Sequence, residues 1–374
     1  MSELITNTRQ ENLRWHLLNT VSAASLLLAV SAPSTVMAED MDRPTVWIEL
    51  GGQFEIGQGN EDRYAAPFII RNLGRHLDSP LNAQQPPHSD FAGEGKISFE
   101  PAGTDWIFSA AVRYGRSNGK KDMFQQTQAQ YTHLKTALNG ILPGKYGYAT
   151  VTSPRFSNSQ TKYSSAHAII DFMAGRDVGL GVFGRFASST FSAGVRYAQF
   201  GTKSDIVFHS LPSRHYPNYH SNKGVHSTYY AHAEAERTFH GVGPSISWDA
   251  SAAVLGKHEE GEVTLDWGIN AAALFGRQRV TSSHETKGFY ITGSIARVKS
   301  QYDHITPVVR SHSVVVPNLG GFAGISVKYP NAKFSVGYRA DFFFNAMDEG
   351  TDTRNSGTRG FLGPFATVSI GLGG

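Results

Sequence analysis

The chain has 374 residues, 34 Lys+Arg against 31 Asp+Glu, 40% hydrophobic and 11% aromatic content, and no cysteine. Charge this evenly balanced gives no sign of a polyanionic partner, nucleic acid included. The lack of cysteine excludes disulfides and fits an oxidising compartment, as it also fits many cytosolic proteins. With a mean hydropathy of −0.29 and no run of about 18 apolar residues, a helical membrane protein is excluded. A transmembrane β-barrel is not, because it hides its apolar residues by alternation.

Residues 1–38 read as a cleavable export signal. Arg9, Arg14 and His16 make a basic start, residues 21–32 an apolar stretch, and Val36-Met37-Ala38 a small-x-small cleavage site. The basic start is long and carries Glu3 and Glu11, which is unusual. An uncleaved anchor is the competing reading, but the apolar stretch is too short to span a bilayer. The expected mature chain, 39–374, begins at or near Glu39.

From there period-2 alternation recurs, the mark of strands. In 45–55, Val46, Ile48, Leu50 and Phe54 share one face, with Glu49 and Gln53 on the other. In 105–116 the apolar face is Trp106, Phe108, Ala110, Val112 and Tyr114. In 263–276 it is Val263, Leu265, Trp267, Ile269, Ala271, Ala273 and Phe275, opposite Thr264, Asp266 and Asn270. Further strands are expected at 91–100, 168–182, 190–200, 227–239, 242–255, 288–298, 318–329, 333–345 and 360–373. The expected fold is therefore all-β: a transmembrane antiparallel barrel of about 12 strands, an even count that leaves both termini in the periplasm. Gly241 and Gly243-Pro244 argue for a break between 227–239 and 242–255; without it the count is eleven. Segments 56–90, 117–167, 201–226, 299–317 and 346–359 are expected as long outer loops, with short links such as 101–104 and 330–331 on the other side.

One pattern echoes. Phe108-Ser109-Ala110-Ala111-Val112-Arg113-Tyr114 returns as Phe191-Ser192-Ala193-Gly194-Val195-Arg196-Tyr197, and more loosely as Phe334-Ser335-Val336-Gly337-Tyr338-Arg339. Similar barrel environments or a duplicated hairpin would each produce it.

Gly241-Val242-Gly243-Pro244, then Gly337-Tyr338-Arg339-Ala340-Asp341, then Gly363-Pro364-Phe365 before an alternating last strand, resemble the Legionella major-outer-membrane-protein-like family, over about 226–374. The resemblance implies a pore-forming barrel of a Gram-negative outer membrane and carries over no catalytic residues. The chain ends Leu372-Gly373-Gly374, where such barrels usually end in an aromatic.

The expected function is a porin-like pore for passive passage of small solutes; the alternative is a structural or adhesive surface barrel with a plugged lumen. Alternation turns many charges inward, and a lumen so charged must be wet or internally paired. The pore-lining set expected is Arg113, Arg196, Arg339, Glu234, Glu236, Asp249 and Asp266. The three arginines occupy equivalent places in the echoed strands and would give mild anion preference, weakened wherever acids pair with them. On strand 263–276, Asp266→Ser is expected to fold normally.

No enzyme is expected. His220-Ser221-Asn222 puts His and Ser on adjacent positions, hence on opposite faces of a strand, whereas a hydrolytic pair needs one face. His209, His215, His220, His226, His232 and His240 are spaced too irregularly for a metal site, and no cofactor is implied. The partners expected are outer-membrane lipid and lipopolysaccharide, periplasmic chaperones and the barrel-assembly machinery; a homo-oligomer is compatible.

Overall fold

The computed structural model describes residues 45–58, 68–70, 75–77, 89–131, 151–178, 187–214, 225–257, 261–292, 295–351 and 353–372. The regular elements among them are all β-strands. In chain order they are β1 Thr45–Gln58, β2 Phe68–Ile70, β3 Arg75–Leu77, β4 Ser89–Glu100, β5 Trp106–Tyr131 and β6 Val151–Asp177. Then come β7 Ala187–Arg214, β8 Val225–Lys257, β9 Gly261–Thr292, β10 Ile295–Tyr329, β11 Ala332–Asp348 and β12 Ser356–Leu372. β1 and β4 through β12 close into one ring. Neighbours pair antiparallel, and β12 returns to β1, with Ile48 opposite Ile370. β2 and β3 pair only with each other. Closure leaves no unpaired strand edge in the ring.

The ring has ten strands, not the twelve expected. Segments 227–239 and 242–255 are one strand, β8, and 288–298 divides between the end of β9 and the start of β10. The expected break at Gly241–Pro244 is a site of close approach instead. A Cβ on Gly243 would stand 1.8 Å from the Ala273 carbonyl oxygen. The β8–β9 pairing passes from Val242–Phe275 to Ser245–Ala272 in unchanged register, skipping Gly243 and Pro244. A proline is tolerated here because its missing N–H coincides with that gap.

Much of the expected loop sequence is also strand. β5 runs on to Tyr131, β7 to Arg214 and β9 to Thr292. The outward face explains why the sequence concealed this. Near the end that carries the tight turns, the face is apolar: Leu265 is 45% exposed, Ile269 57% and Phe275 59% on β9, with Phe108, Phe172 and Phe191 comparable on β5 to β7. Further along the same strands it turns polar, with Lys120 beside Asp122 and Lys203 beside Glu234. Asp122 accepts a hydrogen bond from the Gln160 amide; this bond, with that from Lys120, holds its carboxyl below the usual range. The ring is therefore an apolar belt surmounted by a polar collar. In the collar most residues on both faces are small or polar, with isolated exceptions such as Ile206, Phe208 and Val309, so hydrophobic alternation fades while the hydrogen-bond ladder continues.

Continuity of β8 through Gly243 is testable. Gly243→Val should cost at least about 1–3 kcal/mol through forced backbone displacement. Gly201→Ala, where an added Cβ meets nothing within 4 Å, should stay within about 0.5 kcal/mol. Urea titration of the folded band on unheated gels measures both; equal midpoints would restore the break.

Candidate functional site in the barrel interior

A ring of eight strands is just filled by its own side chains, so ten leave little spare space. A cavity of about 770 Å³ lies at the turn end, lined by Trp47, Glu49, Lys96, Asp249, Lys328 and Phe322 among others and reaching Pro330 and Asn331 of the β10–β11 turn. Five of the seven residues expected to line a pore, Arg113, Arg196, Arg339, Asp249 and Asp266, lie on its wall.

Glu234 and Glu236 do not. On the single strand β8 they alternate with buried Ala233, Ala235 and Arg237, so they point outward into the collar, where Glu234 lies 3.6 Å from Lys203. Asp249 is an odd position and faces in. An unbroken strand cannot turn both Asp249 and the two glutamates inward; only the supposed break allowed it.

The three arginines are neutralised one by one. Arg196 lies 2.6 Å from Asp171 and also donates to Asn270 at 2.7 Å and to Asn318. Arg113 lies 2.7 Å from Asp341 and donates to Gln53 at 3.3 Å. Arg339 pairs with Glu94 through both terminal nitrogens and lies against the Phe365 ring, 4.9 Å from its centroid. The expected anion-attracting cluster is thus a level of ion pairs with little field to spare. Asp266 is likewise committed: Lys333 stands at 2.7 Å, and Ser251, Thr264 and Ser326 all donate to it. Asp266→Ser would strip a partner from Lys333 and three hydroxyls, so the expectation that it folds normally is withdrawn.

Beyond the ion pairs comes an apolar level. Phe200, Phe239, Phe343 and Phe361, each at most 1% exposed, meet across the interior with Leu274 and Val316. The Phe200 centroid lies 4.7 Å from that of Phe343 and 5.6 Å from that of Phe239. Between the two levels His167 packs tilted against Phe361, ring centroids 4.1 Å apart, with its Nε2 3.3 Å from buried Glu55.

The third level is a hairpin. At the end of β11 the pairing with β12 slips between Phe343 and Met347, and Asn345 takes a positive φ of 56°. Ala346, Met347 and Asp348 are consequently buried, and β11 touches β8 and β9, which are not its neighbours in the ring. The wall fixes the hairpin mainly by its backbone carbonyls. Arg310 donates to those of Thr351 (2.6 Å) and Gly350 (2.7 Å), Ser282 to Thr351 (2.7 Å), Gln278 to Asn345 (2.5 Å) and Arg237 to Glu349 (3.2 Å). Asp348 faces Arg310 at 3.3 Å and accepts from the backbone N–H of Gly350 and Asn355.

Sequence reading put Glu55 on the polar face of 45–55 with Glu49 and Gln53, but missed His167, the four phenylalanines and the hairpin. An available signal was inward parity: Phe200, Phe239 and Phe361 continue the inward faces of Arg196, Asp249 and Phe365, where a wet lumen would carry polar side chains. Among the described residues no group of His, Asp and Glu is placed to hold a metal ion. His209, His232 and His240 lie on the outward face, His232 at 3.0 Å from Asp205. His215 and His220, with Ser221 and Asn222, fall outside the described residues.

No protein-family model and no curated protein matches the chain. Among solved structures it is similar to the transport unit of the autotransporter AIDA-I from Escherichia coli, at 8% identity and a TM-score of 0.23, over 95% of this chain and 97% of that one. It is also similar to the CymD monoaromatic hydrocarbon channel, at 8% identity and 0.20, over 89% of each chain. The P. putida toluene transporter TodX gives 8% and 0.16, over 89% of this chain and 90% of that one. Similarity this low assigns nothing to the present chain.

The ion-pair level makes a stability prediction. Asp341 is 3% exposed, and Asp341→Ala leaves Arg113 buried without its closest acid, which should cost about 3–5 kcal/mol. Adding Arg113→Met should recover most of that. A double-mutant cycle by urea unfolding checks it; additive losses would mean that the pair is not a unit.

Proposed function

We propose that the chain is a transmembrane barrel of a Gram-negative outer membrane, and that it forms a small-solute pore held shut by its own β11–β12 hairpin. The membrane part rests on the apolar belt. Leucine, isoleucine, valine and phenylalanine cover the outward face of every strand of the ring there, and lipid is the solvent such a surface suits. A closed ring satisfies its backbone polar groups internally, as hydrocarbon demands.

The single observation that carries the pore is the manner of its closure. A cavity runs in from the turn end and stops below the aromatic level, against which Ala346 and Met347 of a segment that is not part of the wall are packed. That segment is held by side-chain donors, principally Arg310, Arg237, Gln278 and Ser282. Such bonds contribute about 0.5–1.5 kcal/mol each, more where a charge takes part, so their sum is within reach of a ligand or a change of conditions. Phe343, Ala346 and Met347 belong to the same strand end, so withdrawing the hairpin also opens the aromatic level on one side. With the arginines paired, the open pore should discriminate weakly between anions and cations.

The competing reading, a permanently plugged surface barrel, draws on the same aromatic level, and one experiment separates the two. The chain has no cysteine, so Ser282→Cys with Thr351→Cys introduces the only possible disulfide. In planar bilayers the wild type should give discrete conductance steps. The oxidised double variant should give none, and reductant should restore them. Steps that persist in the locked protein would place the conduction path elsewhere, and their absence from all forms would favour the plug.

The membrane itself has a separate test. Ile269→Arg should cost about 2–4 kcal/mol if the belt lies in hydrocarbon. Val309→Arg, equally exposed but in the collar, should change stability by no more than about 0.5 kcal/mol. Folding titrations into lipid vesicles read both, and equal costs would remove the boundary between belt and collar.

A further inference from the structure

The boundary between belt and collar is not uniform around the ring. On β8, β9 and β10 the registers align three outward rungs. Val242, Phe275 and Val315 form the last apolar rung, 48%, 59% and 55% exposed. One step into the collar stand His240, Arg277 and Ser313, and one step beyond them Thr238, Arg279 and Ser311. Successive rungs on one face are about 6.6–6.8 Å apart. Two guanidiniums and an imidazole, all exposed, thus sit within two rungs of the apolar edge.

Among the described residues they form no ion pair. Arg277 donates to the Ser311 hydroxyl at 2.6 Å. Of the acids of the collar nearby, Glu234 lies beside Lys203 and Asp205 beside Lys162 and His232, while Glu236, opposite Lys203 and Thr281, stands one rung from Arg279 on the diagonal without an ion pair to it among the described residues. Elsewhere the first collar residue is mostly uncharged, Gln199 on β7 and Gln58 on β1, with Arg116 on β5 a single cation.

We infer that this face holds the phosphate of a membrane glycolipid, its acyl chains lying along Val242, Phe275 and Val315 and its phosphate clamped by Arg277, Arg279 and His240. Guanidinium matches phosphate in charge and in bidentate geometry. The desolvated edge of an apolar belt strengthens the attraction, as at other basic surfaces beside membranes. The inference rests on the membrane reading above and adds to it a defined lipid site. In the leaflet faced by the long-strand end, the phosphorylated lipid is the lipid A part of lipopolysaccharide.

The test uses the full barrel purified in detergent, with native mass spectrometry as readout. Bisphosphorylated lipid A should bind at a single saturable site, and enzymatically dephosphorylated lipid A at least tenfold more weakly. R277Q/R279Q should remove that preference while R116Q keeps it; R279Q alone, at a side chain without partners, should weaken binding severalfold and guards against any folding defect in the double variant. Inorganic phosphate at millimolar concentration should compete poorly. Equal affinity for the two lipids, equal loss in R116Q, or full displacement by inorganic phosphate would each overturn the lipid site. Recovery of the protein from outer membranes together with any of these results leaves the membrane reading standing. Recovery outside the membrane fraction overturns both.

Discussion

The narrowness of a ten-stranded ring governs most of what its interior contains. Side chains reach across it, so every inward charge is within reach of another and none can remain an isolated ion in a medium poorer than water. The pairing of Arg113 with Asp341, Arg196 with Asp171 and Arg339 with Glu94 follows from that, as does the four-donor environment of Asp266. Narrowness also makes an apolar level possible. Four phenylalanines on four different strands meet only because the bore is short enough for them to touch.

The same geometry makes closure easy. A segment of about ten residues, turned inward by a register slip and one positive φ, is enough to reach β9 and β8, two and three places away around the ring. A wider ring would need a longer insertion. In this chain the turned-in segment costs little, since its carbonyls exchange water for donors already presented by β8, β9 and β10.

The belt was legible from the sequence because its two faces differ sharply: Leu265, Trp267 and Ile269 against Thr264, Asp266 and Asn270 print a period of two. The collar was not, because Asn158, Gln160 and Lys162 on its outward face differ too little from Ser159, Thr161 and Ser165 on the inward one. Its strands therefore read as loops, although the backbone ladder that defines them is as regular as in the belt. Parity carries over wherever strand continuity holds, as for Arg113 and Asp249, and fails for Glu234 and Glu236 because the glycine-proline cluster between them and Asp249 is no break. Glycine marks both turns and close approaches, and only the neighbouring strand tells which. The hairpin left no periodic trace. Its position is set by long-range donors, Arg237 and Arg310 above all, that lie far from it in the chain.

That mode of anchorage has an evolutionary consequence. Apart from Asp348, the hairpin is gripped by its carbonyl oxygens, which every residue type supplies. The exposed side chains of Thr353, Arg354 and Asn355 can then drift without loosening the grip, whereas Arg237, Gln278, Ser282 and Arg310 cannot, nor can Gly350, where a Cβ would stand 1.7 Å from the Thr353 carbonyl oxygen. Related barrels that share the closure should differ most within the segment that closes them and least in the wall that receives it. A comparison guided by similarity of the hairpin itself would overlook them.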